Sequence, residues 1–362
     1  MIKNCYIHIP FCKKICSYCD FCKLYYDKKF ISNYLVKLRD EINNKYRGEV
    51  LDTIYIGGGT PSCLAISELE ELFDILSILK KNKNIEYTIE ANIDSIDKDK
   101  ILLFVKNGIN RISIGIESVN KDNLLFLERD FNKEECISKI NMIKELGINN
   151  INLDLMYALP NEDINMLNDD LDFIIKLKPQ HISTYSLIIE DHTKLGINNI
   201  SNISDDIDDE MYKVICKKLR ENNYNHYEIS NFSKEGYYSR HNMCYWENKE
   251  YYGFGLGASF YLDNKRGTYT RSISKFPSIV SLEDVEIEDK IEYEIILGLR
   301  LLRGINLIEF KKKYNNELKD IYDYSELVNS GFLIEEDNYL RIPEEKIYVS
   351  NEIIVKVLEK KK

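Results

Sequence analysis

Short runs of β-branched and aromatic residues alternate with longer amphipathic stretches through the first half of the chain. The runs predict six strands, at residues 5–9, 53–56, 86–90, 111–116, 151–156 and 181–187. The stretches between them have helical periodicity. Ser67 with Glu70 and Asn132 with Glu135 have the spacing of capping boxes, and Gly108 and Gly147 stand where helices are expected to end. A strand–helix repeat of roughly 30 residues predicts a parallel sheet with right-handed crossovers.

The pattern predicts an α/β fold and fits either an open six-stranded sheet or a partial β/α barrel. In both architectures ligands collect at the C-terminal ends of the strands. Chemically informative residues lie at, near or just after the C-terminal ends of five of the six predicted strands. They are a cysteine cluster after the first strand, a Gly-Gly-Gly-Thr run from Gly57, then Glu90, Glu117 and Asp154. We therefore expect one rim to carry the site.

The β/α alternation weakens after residue 192, and the chain is predicted to have three parts. Residues 1–200 form the barrel core, 201–287 an extension, and 288–362 a small C-terminal module. Helices, a hairpin at 332–342 and a last helix make that module an α+β unit similar to a winged helix. It has more acidic than basic residues, so a structural or lid-like role is favoured over DNA binding.

The charge and composition of the chain argue against nucleic acid as a partner and against a membrane-spanning protein. The 362 residues carry a net charge of −11, which gives no global basic field for nucleic acid. No apolar run is long enough to span a bilayer, and Met1 to Pro10 lacks the layout of a signal peptide. We expect a cytoplasmic protein that does not bind nucleic acid, and peripheral association with a membrane is left open.

Four of the nine cysteines fall between Cys12 and Cys22, and the first three have C-x3-C-x2-C spacing. Three thiolates on a short loop can hold three irons of a [4Fe–4S] cluster, on Cys12, Cys16 and Cys19. The fourth iron then has an open position, which S-adenosylmethionine (SAM) can chelate. A zinc site with Cys22 as fourth ligand is the alternative, although four ligands within eleven residues would be crowded.

Longer motifs around these residues resemble the coproporphyrinogen-oxidase-like branch of radical SAM proteins over nearly the whole chain. They are Tyr6-Ile-His-Ile-Pro-Phe-Cys12, Cys16-Ser-Tyr18-Cys19-Asp-Phe21, Ile56-Gly-Gly-Gly-Thr-Pro-Ser62, Glu90-Ala-Asn92, Arg111-Ile-Ser-Ile-Gly115, Leu153-Asp-Leu-Met-Tyr-Ala-Leu-Pro160 and Tyr227-Glu-Ile-Ser-Asn-Phe232. The resemblance implies a partial (β/α)6 radical SAM barrel with the C-terminal winged-helix-like module.

The resemblance also implies roles for single residues. Tyr6, Tyr18, Gly58 and Glu90 would contact the SAM on the cluster. Gly59, Thr60, Arg129 and Asp154 match positions that hold a second SAM in the oxidases. Glu117 stands where that family usually has glutamine, and a carboxylate cannot donate hydrogen bonds as an amide does. This departure puts the second SAM site in doubt.

Three features favour the heme-chaperone group of this branch over the oxygen-independent coproporphyrinogen III oxidases. Phe21 replaces a further cysteine of the oxidases, only eleven residues precede Cys12, and an H-N-x-x-Y-W motif begins at His241. The resemblance thus implies a protein that binds a cluster, SAM and heme and passes heme to an acceptor protein. Oxidative decarboxylation, a non-catalytic cluster- and heme-binding module and, more weakly, methyl transfer stay open as alternatives.

The motif from His241 has a physical interpretation as a heme site. A neutral imidazole is a common axial ligand of heme iron, and Tyr245 and Trp246 offer flat apolar faces. Cys244 is a less favoured ligand, and a packed cluster of core aromatics is the non-functional alternative. A ligand must be reachable, so we expect His241 near the open rim or under a movable C-terminal module.

Overall fold

Six parallel strands form the centre of the largest sheet in the computed structural model, which describes residues 1–362. They are β1 (Asn4–Ile9), β2 (Leu51–Gly58), β3 (Lys81–Asn92), β4 (Arg111–Glu117), β5 (Asn150–Tyr157) and β6 (His181–Ser186). Each pairs in parallel with the next in chain order. Their side chains are buried on both faces, as expected of a parallel sheet covered by helices. The six predicted strands are confirmed.

Helices connect these strands on the outside of the sheet. They are α1 (Lys28–Lys45), α2 (Ile66–Leu76), α3 (Lys98–Lys106), α4 (Lys121–Phe126), α5 (Lys133–Glu145) and α6 (Ile164–Lys176). The Asn132 side chain caps α5 as predicted, accepting from the backbone N–H of Glu135 at 2.8 Å. The predicted cap at Ser67 is wrong, because α2 begins at Ile66 and its N-cap residue is Ala65. The Glu68 side chain accepts from the backbone N–H of Ala65. Gly108 and Gly147 have positive φ just after α3 and α5, as C-cap residues do.

Later parts of the chain extend the sheet at both edges. The middle segment contributes helices α7 (Lys194–Ile197), α8 (Asp205–Glu221) and α9 (Arg240–Trp246), and strands β7 (Asn225–Glu228), β8 (Asn231–Ser233) and β9 (Tyr252–Phe254). The strand order is β9-β1-β2-β3-β4-β5-β6-β8-β7, with β8 antiparallel to β6. The two edges do not pair with each other, so the barrel is partial, as predicted. Residues 201–287 thus add strands to the main sheet.

An antiparallel sheet and the C-terminal module complete the fold. The sheet contains β10 (Ser259–Leu262), β11 (Lys265–Tyr269) and β12 (Ile279–Asp284). The module contains α10 (Ile287–Gly298), β13 (Ile305–Asn306), α11 (Leu307–Tyr314), α12 (Leu318–Ile321), α13 (Ser325–Asn329), β14 (Ile334–Glu336), β15 (Tyr339–Arg341) and α14 (Ser350–Leu358). Its hairpin lies where the sequence predicts one. None of the helices combines the length and apolar character needed to cross a bilayer.

Candidate functional site

The cysteine loop leaves the C-terminal end of β1 and is closed at its base by a short parallel ladder. Residues Phe11–Cys12 pair there with Leu24–Tyr25. Cys12, Cys16 and Cys19 all line one cavity of about 130 Å³ at the rim of the barrel. The fourth cysteine of the loop, Cys22, is buried in the hydrophobic core and does not line this cavity. The loop therefore presents three thiols to one space, as its spacing predicts.

The surroundings of the three thiols suit a cluster better than a single metal ion. The lack of a side chain at Gly59 lets Cys12 pack against the backbone, because a Cβ there would lie 2.8 Å from the Cys12 sulfur. Cys22, the fourth ligand of the zinc alternative, points into the core and does not line the cavity with the other three cysteines. Burial raises the pKa of the Cys12 thiol to about 11, so cluster irons would have to supply the charge that stabilises its thiolate.

The same cavity brings together most of the predicted SAM residues. Their side chains or backbone lie at the C-terminal ends of β2 to β5 and in the adjoining loops. Those that line the cavity are Tyr18, Gly58, Gly59, Thr60, Glu90, Glu117, Arg129 and Asp154. The register of the parallel strands explains this convergence, because residues that follow successive strands meet at one edge of the sheet.

Glu90 is held by hydrogen bonds from two directions. The Tyr55 hydroxyl donates to one carboxylate oxygen at 2.8 Å, and the backbone N–H of Gly58 donates to the other at 3.0 Å. Burial raises the pKa of Glu90 to about 7 despite these donors. An oriented carboxyl that opens onto the cysteine cavity can accept hydrogen bonds from an amino group or from ribose hydroxyls.

Glu117 and Arg129 form a buried ion pair across the rim. Their side chains are 4% and 11% exposed, and the guanidinium nitrogen lies 2.7 Å from the carboxylate oxygen. Tyr18 and Tyr185 also donate hydroxyl hydrogen bonds to Glu117, so both of its oxygens are engaged. The glutamate at this position therefore has a local explanation, because a glutamine would not neutralise the buried arginine.

Asp154 lies deeper in the same barrel, between Glu90 and Glu117. Burial and these two carboxylates raise the pKa of Asp154 to about 7. The Asn152 amide donates to it at 2.6 Å. Three acidic groups in one cavity favour a ligand that brings positive charge, such as an ammonium or a sulfonium.

Tyr6 and His241 do not line the cysteine cavity. The Tyr6 hydroxyl is 3.0 Å from His8 Nδ1, and its ring stacks on Tyr55 inside the barrel. Tyr6 is thus one residue layer below the rim on β1. The Tyr6 side chain therefore does not face the cysteine cavity, and its contact with SAM stays a prediction.

His241 lies on α9 against the first half of β2, far from the position expected for a reachable ligand. Its side chain is 1% exposed. Nδ1 is 2.8 Å from the Thr53 hydroxyl, and Nε2 is 2.7 Å from the Tyr245 hydroxyl. Its ring also stacks on Tyr55 with centroids 5.2 Å apart. The expectation of a rim position is wrong. Both ring nitrogens are engaged, so the imidazole is not free to ligate iron in this conformation.

The sequence analysis did not identify several polar residues of the barrel interior as part of the site. Asn92 accepts from Arg129 at 2.9 Å and donates to Thr60 at 3.3 Å, which links two predicted SAM residues. Tyr185 and Tyr55 hold the carboxylates as described above. Asn92 could have been identified from the sequence. Alternate residues of a strand share a face, and Asn92 is two positions after Glu90.

Comparison with known proteins agrees with this arrangement. A model of the radical SAM superfamily matches residues 6–174, and one of the HemN C-terminal domain matches residues 286–349. The heme chaperone HemW of Lactococcus lactis is 34% identical, with 98% of this chain and 97% of the relative covered. HemW of Bacillus subtilis is 31% identical, with 97% and 98% covered. The coproporphyrinogen III oxidase HemN of Escherichia coli, a radical SAM enzyme, superposes with a TM-score of 0.86 at 18% identity. That superposition covers 98% of this chain and 89% of the oxidase, and it shows a shared fold.

Proposed function

We propose, on the premise that this chain belongs to the HemW family of radical SAM proteins, that it is a heme chaperone. In this proposal Cys12, Cys16 and Cys19 hold a [4Fe–4S] cluster, and SAM binds the open iron. Heme is bound and passed to an acceptor protein. The observation that carries the proposal is the convergence of the three cysteines and Glu90 on one rim cavity. When bound, the cluster would supply one-electron chemistry to that cavity.

The chain's own residues have separate tasks in this proposal. Glu90, oriented by Tyr55 and Gly58, receives the amino or ribose groups of SAM. Gly59 lets the backbone approach the ligand closely, and Thr60 lies beside the Cys12 sulfur at 3.5 Å. Arg129 donates to the hydroxyl of Tyr18 in the cysteine loop at 3.0 Å, and Asp154 lines the same cavity from β5. The Glu117 carboxylate is already engaged by Arg129, Tyr18 and Tyr185, which is unlike a site prepared for a second SAM.

The oxidase alternative is less well supported by the cysteine loop. Phe21 stands where the oxidases carry a further cysteine, and it is largely exposed. Cys22 turns into the core instead, where its carbonyl accepts from His8 Nε2 at 2.7 Å. No fourth thiol of the loop therefore reaches the cavity. A role for His241 as heme ligand would require α9 to move away from Thr53, or the Tyr245 hydroxyl on the same helix to release Nε2.

We also propose that the protein acts in the cytoplasm. All nine cysteines are free, as is usual in a reducing compartment. The heme acceptor is a protein in this proposal, and nothing in the surface charge favours nucleic acid.

The test is anaerobic reconstitution of the cluster followed by two parallel assays. Heme is titrated into the protein, and the loaded protein is mixed with apomyoglobin as a heme sink. The same preparation is incubated with coproporphyrinogen III, SAM and a reductant. We expect heme binding, heme release to the sink and unchanged coproporphyrinogen. Decarboxylation to protoporphyrinogen IX without heme binding would overturn the chaperone proposal.

A further inference from the structure

A second cavity, of about 410 Å³, continues from the rim into the barrel interior. Its size is within the range of small-ligand pockets, roughly 300 to 1,000 Å³. Glu90 and Asp154 line its wall on the side of the cysteine loop, and Asn242 of the H-N-x-x-Y-W motif lines another part. The cavity thus joins the rim to the motif that the fold otherwise buries.

Arg111 lines this cavity from the first residue of β4. The residue is only 2% exposed, and it is the largest fully buried side chain of the protein. Its guanidinium makes no ion pair, and its Nε has no hydrogen-bond partner. Burying an unpaired charge costs several kcal/mol unless an opposite charge approaches. A fold that keeps an arginine in this state has a place for an anion.

The nearest acidic groups do not neutralise Arg111. Neither Glu90 nor Asp154 forms an ion pair with it, although its charge lowers the pKa of Glu90 against the larger effect of burial. Burial leaves the pKa of both carboxyls at about 7, which lessens their repulsion of an incoming anion. The Ser183 hydroxyl lines the same space; it donates to Asn152 Oδ1 at 3.1 Å and can donate instead to a carboxylate.

Two exposed apolar side chains line the outer part of this cavity. Phe21 and Ile188 are 70% and 69% exposed, and Asp20 and Glu190 also line the cavity. An exposed aromatic and an exposed aliphatic side chain favour contact with a flat apolar ligand. The cavity therefore combines exposed apolar side chains with an unpaired cation inside, which suits an amphipathic molecule with a carboxylate arm.

We propose that Arg111 binds a propionate of heme, whose apolar macrocycle rests against Phe21 and Ile188 at the mouth of the barrel. This inference rests on the proposed chaperone function and names where heme is recognised. Arginine pairs with carboxylates through two parallel hydrogen bonds, which also fixes the orientation of the ligand.

The other large cavity is less suited to this role. It measures about 630 Å³ and lies between Trp246 of α9 and the C-terminal module. Its arginine, Arg303, already pairs with Glu247, and so does Lys249. Since those charges are compensated within the protein, Arg303→Gln is a matched control for Arg111→Gln.

The experiment compares heme with heme dimethyl ester, which has the same macrocycle and no free carboxylate. Both are titrated in one cosolvent into the reconstituted wild type, Arg111→Gln, Arg111→Lys and Arg303→Gln, with Soret difference spectra as the readout. We expect the wild type and Arg303→Gln to prefer heme by roughly 10- to 100-fold, the effect of a charge-assisted pair. Arg111→Gln should bind the two porphyrins equally, and Arg111→Lys should keep part of the preference.

Thermal unfolding without heme separates binding from a structural role. Because Arg111 lacks partners, Arg111→Gln should melt at or above the wild-type temperature. A wild-type heme preference in Arg111→Gln would overturn the inference and leave the chaperone proposal standing, as would loss of that preference in Arg303→Gln. Loss of the SAM response of the cluster in Arg111→Gln, with the heme preference intact, would assign the arginine to the carboxylate of SAM. A wild type that binds neither porphyrin would overturn both proposals.

Discussion

The buried ion pair between Glu117 and Arg129 predicts a large and asymmetric response to substitution. Glu117→Ala leaves the Arg129 guanidinium buried without its counter-charge and removes the acceptor of Tyr18 and Tyr185. Breaking a buried pair by removing one partner costs about 3–5 kcal/mol of unfolding free energy. Glu117→Gln replaces one carboxylate oxygen by an amide nitrogen, and it keeps an oxygen for Arg129.

The magnitude for Glu117→Gln follows from what the amide retains. One hydrogen bond to Arg129 survives, but the opposite charge is lost and one oxygen becomes a donor facing the Tyr185 hydroxyl. A hydrogen bond to a charged group is worth about 1.5–3 kcal/mol, so the cost should fall in that range. The double variant Glu117→Gln/Arg129→Gln should cost less than the sum of the single changes, because no charge is left unpaired.

Urea unfolding of the reconstituted proteins measures these differences. Asp74→Asn is the control, since Arg39 and Asp74 form an exposed pair at 2.7 Å and such pairs contribute roughly 0–1 kcal/mol. If Glu117→Gln unfolds at the wild-type urea concentration, the pair does not stabilise the rim. Strictly additive costs in the double variant would show that the two side chains do not interact.

Three further predictions follow from the same site. Burial raises the pKa of Asp154 to about 7, so the native state holds a proton that the unfolded state releases near pH 4. Stability should therefore fall as pH rises from about 4 to about 7, and Asp154→Asn should flatten that fall in urea titrations; an unchanged slope would refute the assignment. Gly59→Ala puts a Cβ 2.8 Å from the Cys12 sulfur, so iron content after reconstitution should drop, and full iron loading would contradict the geometry. His241→Ala should cost about 2–4 kcal/mol in unfolding free energy, because it leaves a cavity and a buried Tyr245 hydroxyl without its partner; a stability change within about 0.5 kcal/mol would refute this packing.

The strands and the rim could be predicted because both depend on local and repeating features. Parallel strands buried on both faces have continuous apolar runs, and the residue after each strand falls at one edge of the sheet. Cys12, Glu90 and Asp154 were placed together by that rule alone. The spacing favours Cys12, Cys16 and Cys19 as cluster ligands, which stays a prediction, and Cys22 does not line their cavity.

The position of the H-N-x-x-Y-W motif could not be predicted in this way. His241 is brought to Thr53 by a contact across 188 residues, and no local pattern specifies which strand α9 covers. The ion pair of Glu117 with Arg129 likewise depends on the loop between β4 and α5. The missing partner of Arg111 is visible only in three dimensions, because a single arginine at a strand start gives no sign of its surroundings.

The cluster with an open iron is the central claim, and EPR of the reduced, reconstituted protein tests it most directly. The spectrum is recorded with and without saturating SAM in the wild type, Cys22→Ala, Cys19→Ala and Glu90→Ala. We predict that SAM shifts the signal in the wild type and Cys22→Ala, that Glu90→Ala responds more weakly without losing iron, and that Cys19→Ala has no cluster. A wild-type spectrum that SAM leaves unchanged, or a cluster that needs Cys22 and survives without Cys19, would contradict the account.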